Sequence, residues 1–142
     1  MAITYVAAVP TYGTIRRILR FCKKSGIKAS SFYKPHATII HSNDLVDTFS
    51  LPDHEFPIVG ENPKLVTFDT KDDGLCLVIK FDSDELSRMH YGLKYKYGLR
   101  TDYEYIPHIT LKKNMDQAVT DQQVNLKLKF EKIFVKRSEK SA

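Results

Sequence analysis

The tetrapeptide Pro-His-x-Thr occurs twice, as Pro35-His36-Ala37-Thr38 and as Pro107-His108-Ile109-Thr110, with the copies 72 residues apart. From this chain's content of proline, histidine and threonine, chance expects about 0.015 such matches, so two in one register are not an accident of composition. On a strand, side chains two apart share a face: His36 points with Thr38 and His108 with Thr110, while Ala37 and Ile109 pack behind. Each motif then presents an imidazole and a hydroxyl together. Imidazole, with an ordinary pKa near ~6.5, can be neutral in one copy and protonated in the other. Such a pair takes a proton from an attacking oxygen and delivers one to a leaving oxygen, and hydroxyls donate to a phosphoryl group as charge builds there. Acid and base contributions of roughly 10²–10⁴ each lower a barrier by about 5–11 kcal/mol. The structural alternative is a pair of duplication relics, each histidine bonded to backbone.

The same 72-residue offset sets Tyr33 on Tyr105, Gly26 on Gly98, and Ile3, Tyr5, Val6 and Ala7 on Leu75, Leu77, Val78 and Ile79. Each half therefore reads as strand, helix, turn, strand. Ile3 to Val9 is the first strand, and the helix from Thr14 to about Ser25 carries Ile15, Ile18, Leu19 and Cys22 at helical spacing, with Gly26 as its stop. Leu75 to Phe81 is the matching strand. Asp82 or Ser83 caps a helix with the inner stripe Leu86, Met89, His90 and Leu93, ending before Gly98. Each proline marks the start of the strand that carries its histidine.

Between the halves, His54 to Gly60 and Lys64 to Thr70 read as two strands separated by the turn residues from Gly60 to Pro63, and Asn43 to Pro52 as a loop. The acids Asp69, Asp72 and Asp73 fit a hairpin turn. Asn114 to Gln123 is polar and read as briefly helical, Val124 to Lys136 as one long strand or a strand pair, and the tail from Arg137 as frayed. The sum is one α+β domain over residues 1–142, with repeat halves of about 1–70 and 71–136.

A hydrophobic fraction of 42% suits a packed core, and 22 Lys plus Arg against 17 Asp plus Glu give a net charge of +5. That charge favours encounter with nucleotides or nucleic acid and is shared by many merely soluble proteins. Cys22 and Cys76 sit in apolar segments at no metal-binding spacing and read as free core thiols, which implies a reducing compartment. No apolar run approaches a membrane span, and the first ten residues lack the features of a signal peptide, so a cytoplasmic protein is expected, with no membrane and no stable protein partner.

Two HxT motifs in a duplicated α+β chain resemble the 2H phosphoesterase superfamily, and the likeness covers nearly the whole sequence. It implies a bilobal fold with two antiparallel sheets lining a central cleft and helices outside. It also implies a metal-independent site without cofactor, with His36 and His108 as the catalytic pair and Thr38 and Thr110 holding the phosphate. Ile39 and Leu111, apolar after each threonine, fit the pattern. The short chain, the opening strand Thr4-Tyr5-Val6-Ala7-Ala8 and the compact ending are similar to viral anti-CBASS phosphodiesterases, which destroy the cyclic oligonucleotide signals of bacterial immunity. This narrower likeness implies hydrolysis of 3′,5′ linkages in cyclic di- or trinucleotides, in the host cytoplasm. The alternatives are an enzyme acting on 2′,3′-cyclic phosphates or RNA ends, or a catalytically silent nucleotide or RNA-binding module, against which both intact motifs argue.

Further substrate-binding candidates are Tyr5, Tyr12 and Tyr103, which lie near strand ends or motif approaches and could stack on bases, and Lys112. Lys112 follows Thr110 by two and is expected on its face, with Lys113 turned away. Tyr33 and Tyr105, matched by the repeat, are expected to be structural. His41, five from His36, is expected on the opposite face, His54 in a loop or strand start, and His90 in helix packing. None forms a zinc ligand set with the motif histidines.

Overall fold

A computed structural model describes residues 2–28, 34–46, 49–101 and 103–139. Its elements run β1 (Ala2–Pro10), α1 (Tyr12–Lys24), β2 (Ala37–Ser42), β3 (Ile58–Thr70), β4 (Gly74–Asp82), α2 (Asp84–Tyr97), β5 (His108–Met115), β6 (Gln122–Gln123) and β7 (Leu128–Glu139). The α+β class follows from two helices set against an antiparallel sheet. Both helices begin at a hydroxyl cap: Thr11 Oγ1 accepts from the Thr14 N–H and Ser83 Oγ from the Leu86 N–H, each satisfying a donor that has no partner inside its helix. Asp84 and Glu85 in its first turn favour the start of α2, and Lys23 and Lys24 favour the end of α1. Gly98, at φ 60°, closes α2 where the Leu99 N–H returns to the Lys94 carbonyl. No helix is long and apolar enough to cross a membrane among the described residues.

The strands hydrogen-bond in the order β4-β5-β2-β1-β7-β3-β6, and β3 also pairs with β4. This is one seven-stranded sheet where two sheets were expected, because pairs at both junctions, Ala37↔Ile109 and Ile58↔Phe130, join what would otherwise be separate layers. The second junction needs Gly60: a Cβ there would come within 2.6 Å of the Phe81 ring, which stacks on Phe130 at 5.5 Å. The main core lies between sheet and helices and holds Ile18 and Cys22 from α1 and Leu86, Met89 and Leu93 from α2. Against them pack Val6, Ala8, Ile39, Ile40, Ile79, Phe81, Ile109 and Phe130. Cys22 and Cys76 are both buried free thiols.

Three expectations for the connecting segments are corrected. The stretch from Gly60 to Pro63 does not divide two strands; Asn62 at φ 52° and Pro63 break the register within the single strand β3, which then continues along β4. Asn114 to Gln123 is not helical, and its Gln122 and Gln123 pair with Leu65 and Lys64. The tail does not fray at Arg137, because β7 stays paired with β1 out to Ala2↔Glu139 and the Arg137 guanidinium donates to the Val46 carbonyl at 3.1 Å. Lys71 to Asp73 forms the expected turn, ended by Gly74 at φ 65°.

Candidate active site

His36 immediately precedes β2 and His108 opens β5, and the two strands meet antiparallel at Ala37↔Ile109. An antiparallel ladder through that pair sets His36 across from Thr110 and Thr38 across from His108, all four on one face. Ala37 and Ile109, fully buried, anchor the opposite face in the main core. Each ring makes the same local contact: His36 Nδ1 lies 2.9 Å from the Lys34 carbonyl and His108 Nδ1 2.7 Å from the Ile106 carbonyl. A carbonyl only accepts, so Nδ1 carries the hydrogen in both neutral rings and Nε2 is left with its lone pair. The backbone bond foreseen under the structural alternative is therefore present, and it fixes the tautomer that leaves Nε2 available.

The environments of the two rings differ. His36 is exposed; its ring stands edge-on to Tyr5 at 6.4 Å, and the Tyr5 hydroxyl reaches Thr38 Oγ1 at 3.3 Å. His108 is half-buried against Phe68, at 5.0 Å between ring centres, above a floor of Val66, Cys76 and Val78. Burial pushes the His108 pKa down, the hydrogen bond to Ile106 opposes this, and the charge on His36 lowers it further.

A β-bulge follows each motif threonine. Ala7 pairs with Thr38 but Val6 with Ile40, leaving Ile39 extra; Val78 pairs with Thr110 but Leu77 with Lys112, leaving Leu111 extra. An extra residue reverses the alternation of faces beyond it, and this corrects two expectations. Lys112, across from the core residue Leu77, turns away from the histidines, and Lys113 takes the site-side position, where it pairs with Asp73 at 3.3 Å. His41, across from Tyr5 and 6.0 Å from its ring, lies on the same face as His36. Two consecutive fully buried residues, Ile39 and Ile40, mark the first bulge.

Sequence reasoning also missed what secures the bulge. Tyr105 Oη donates to the Thr38 carbonyl at 2.9 Å, and His90 Nδ1 lies 2.7 Å from the Ile39 carbonyl. The two rings stack at 4.2 Å and 8°. His90 was expected in helix packing and is fully buried there; burial and the nearby Lys94 push its pKa down against the hydrogen bond to Ile39. Repeat matching gave the structural role of Tyr105, while its partner Tyr33 falls outside the described residues. No sequence signal pointed to the His90–Ile39 contact, which depends on a bulge in another element.

Of the remaining candidates, Tyr103 accepts at its hydroxyl from the His41 N–H at 3.4 Å, and its ring centre lies 5.8 Å from that of His90. Tyr12, 71% exposed at the start of α1, lies under the Arg16 guanidinium. His54 bonds the Pro52 carbonyl and packs on Phe56, away from the site. Surface hollows lined by Leu19, Cys22 and Ile27, and by Leu45, Val46 and Val135, do not include the histidines. Among the described residues no group of three or more His, Cys, Asp or Glu could hold a metal ion.

A family model described as anti-CBASS protein Acb1 matches residues 2–139, nearly the whole chain and every element that carries the histidine face, so the chain belongs to this anti-CBASS family.

Proposed function

We propose that this protein counters CBASS immunity as a phosphodiesterase that hydrolyses 3′,5′ linkages in cyclic di- or trinucleotide signals, using His108 as general base and His36 as general acid. The observation that carries the reading is the pairing of the two motif strands about Ala37↔Ile109, which puts both imidazoles and both threonine hydroxyls on one face and so supports their acting on a single phosphate. The drier ring, its pKa pushed down by burial, takes the proton of the attacking oxygen: that of water, which gives the hydrolysed linear product directly, or that of the ribose 2′-OH, which gives a 2′,3′-cyclic phosphate that water then opens. As the bond from phosphorus to the leaving ribose oxygen breaks, the exposed His36 supplies that oxygen's proton. Thr38 and Thr110 donate to the non-bridging oxygens as their charge rises. This chemistry needs no metal. Tyr5, whose ring abuts His36, is a surface for the adjacent base. The matched pattern of strand, capped helix and bulged motif strand in each half supports a bilobal 2H phosphoesterase arrangement.

The test is to incubate the protein, with and without EDTA, with cyclic dinucleotides, cyclic trinucleotides, 2′,3′-cyclic mononucleotides and RNA ending in a 2′,3′-cyclic phosphate. Cleavage of a cyclic di- or trinucleotide that survives EDTA is expected. Activity restricted to the 2′,3′-cyclic ends, or lost with EDTA and restored by a divalent metal, would overturn the proposal.

A further inference from the structure

The site face continues beyond the histidines. Lys80 pairs with His108, Lys64 pairs with Lys80, and Gln123 pairs with Lys64, so that His108, Lys80, Lys64 and Gln123 form one row across β5, β4, β3 and β6. Directly opposed residues of antiparallel strands share a face, and neighbouring strands lie roughly 4.8 Å apart, so the two ammonium groups root about 5 and 10 Å from the His108 backbone. Both lysines are half-buried. The three ion pairs among the described residues involve Arg88, Arg100 and Lys113, and neither Lys64 nor Lys80 has an acidic partner. Asp82, the next residue of β4 on this face, accepts a hydrogen bond from Asn62 Nδ2 at 3.0 Å.

Two lysines placed directly opposite each other repel, which is a cost to the sheet. Partial burial of their stems, with no carboxylate in ion-pair contact with the heads among the described residues, raises that cost. An anion bound between them removes it. We propose that Lys80 and Lys64 form a second phosphate subsite, which holds a non-reacting phosphate of a cyclic oligonucleotide while the histidine pair engages another; this rests on the phosphodiesterase reading above. A substrate with a single phosphate leaves the subsite empty, so the row is a means of preferring substrates with two or more.

The test uses Lys80→Gln, Lys64→Gln and the double variant, with Lys112→Gln as a control that removes the same charge from the opposite face. Binding of a cleavage-resistant phosphorothioate cyclic di-AMP is measured by calorimetry at two salt concentrations, and turnover is measured separately on cyclic di-AMP and 2′,3′-cyclic AMP. Loss of Lys80 should weaken binding of the cyclic dinucleotide roughly tenfold, as expected of a lost charge-assisted phosphate contact, and each lysine removed should lower the salt slope of log K by roughly 0.7. Kinetics on 2′,3′-cyclic AMP should stay within twofold, Lys80→Arg should retain binding within threefold, and the melting temperature should hold or rise as the repulsion is relieved. Unchanged dinucleotide binding in both single variants, or an equal loss in Lys112→Gln, would overturn the subsite while leaving the phosphodiesterase reading intact. A parent that binds the dinucleotide and cleaves nothing would overturn that reading and leave the subsite standing; a parent that does not bind it would overturn the subsite.

Discussion

His90→Phe separates the hydrogen bond that secures the bulge from the packing around it. Phenylalanine keeps a ring to stack on Tyr105, 4.2 Å away, but offers no donor to the Ile39 carbonyl, which His90 Nδ1 approaches at 2.7 Å. Leaving a buried acceptor without its donor costs about 1–3 kcal/mol. The buried Nε2 of His90 has no hydrogen-bond partner among the described residues, and its removal offsets part of that loss, so the lower half of the range is expected at pH 7.5, a fall of roughly 3–6 °C in melting temperature at this chain length. The loss should depend on pH. The folded-state pKa of His90 is lowered, chiefly by burial, so the unfolded chain binds its proton first. The stability this residue contributes is complete above the unfolded value near ~6.5 and is lost as pH falls below it toward the folded value. The parent's advantage over His90→Phe should therefore shrink by up to about 1.4 kcal/mol for each pH unit below ~6.5. Thermal denaturation followed by circular dichroism at pH 7.5 and 5.5 measures both quantities. Equal melting at pH 7.5, or a gap that widens on acidification, would refute the view that a neutral His90 seals the bulge.

Replacing His36 or His108 by Ala should remove most of the turnover, and the double variant should lose little more, because both proton transfers serve one displacement; steady-state rates within threefold of the parent in either single variant would refute the paired mechanism. The rate should follow a bell in pH whose limbs belong to the coupled pair; a rate that does not fall on the acid side would refute a histidine base. Thr110→Ala should cost less than either histidine, since it removes a hydrogen bond and no proton carrier. Lys112→Ala should leave turnover within twofold, because the bulge at Leu111 turns Lys112 away; a larger loss would mean that this lysine reaches the substrate.

The histidine face was legible because each motif is short and spans less than the distance to its bulge: from His36 to Thr38, and from His108 to Thr110, plain two-residue alternation holds. One residue later it fails. Lys112 and His41 were misplaced because a bulge is set by how two strands pair, and nothing in Ile39-Ile40 or Leu111-Lys112 alone distinguishes an extra residue from an ordinary strand position. The first strand shows the same limit. Matching by apolar pattern at an offset of 72 sets Tyr5 on Leu77, yet Ala7 pairs with Thr38 as Val78 pairs with Thr110, 71 residues on. Apolar identity could not separate these registers, since Val6, Ala7 and Ala8 are all buried and Cys76 to Ile79 likewise. The turn residues from Gly60 to Pro63 were read as separating two strands, but β4 runs alongside and pairing resumes at Lys64, so they mark a register break within the single strand β3.

That one-residue difference has a chemical result. With the 71-residue correspondence, the histidine face presents Tyr5 and Ala7 from β1 but Cys76 and Val78 from β4. Ala7 is small, and the Tyr5 side chain is only partly buried and ends in a hydroxyl bonded to Thr38; the ring beside them, His36, stays wet. Val78, Cys76 and Val66 close a dry floor under Phe68, and His108 stands against it. Two copies of one motif in equal surroundings would share a proton with no preference for either ring. Unequal burial separates the proton affinities of two chemically identical groups, which is how carboxylate and imidazole pairs acquire distinct roles elsewhere. Desolvation disfavours the imidazolium form, and burial against this floor pushes the His108 pKa down, which is why the proposed mechanism gives this ring the role of base. Opening the floor with Phe68→Ser should therefore raise the His108 pKa toward the ordinary value and move the acid limb of the rate profile to higher pH. Nuclear magnetic resonance titration of the ring protons reads the first change and a pH series of initial rates the second. A Phe68→Ser variant whose acid limb stays in place would show that burial against Phe68 does not set the division of labour between the two histidines.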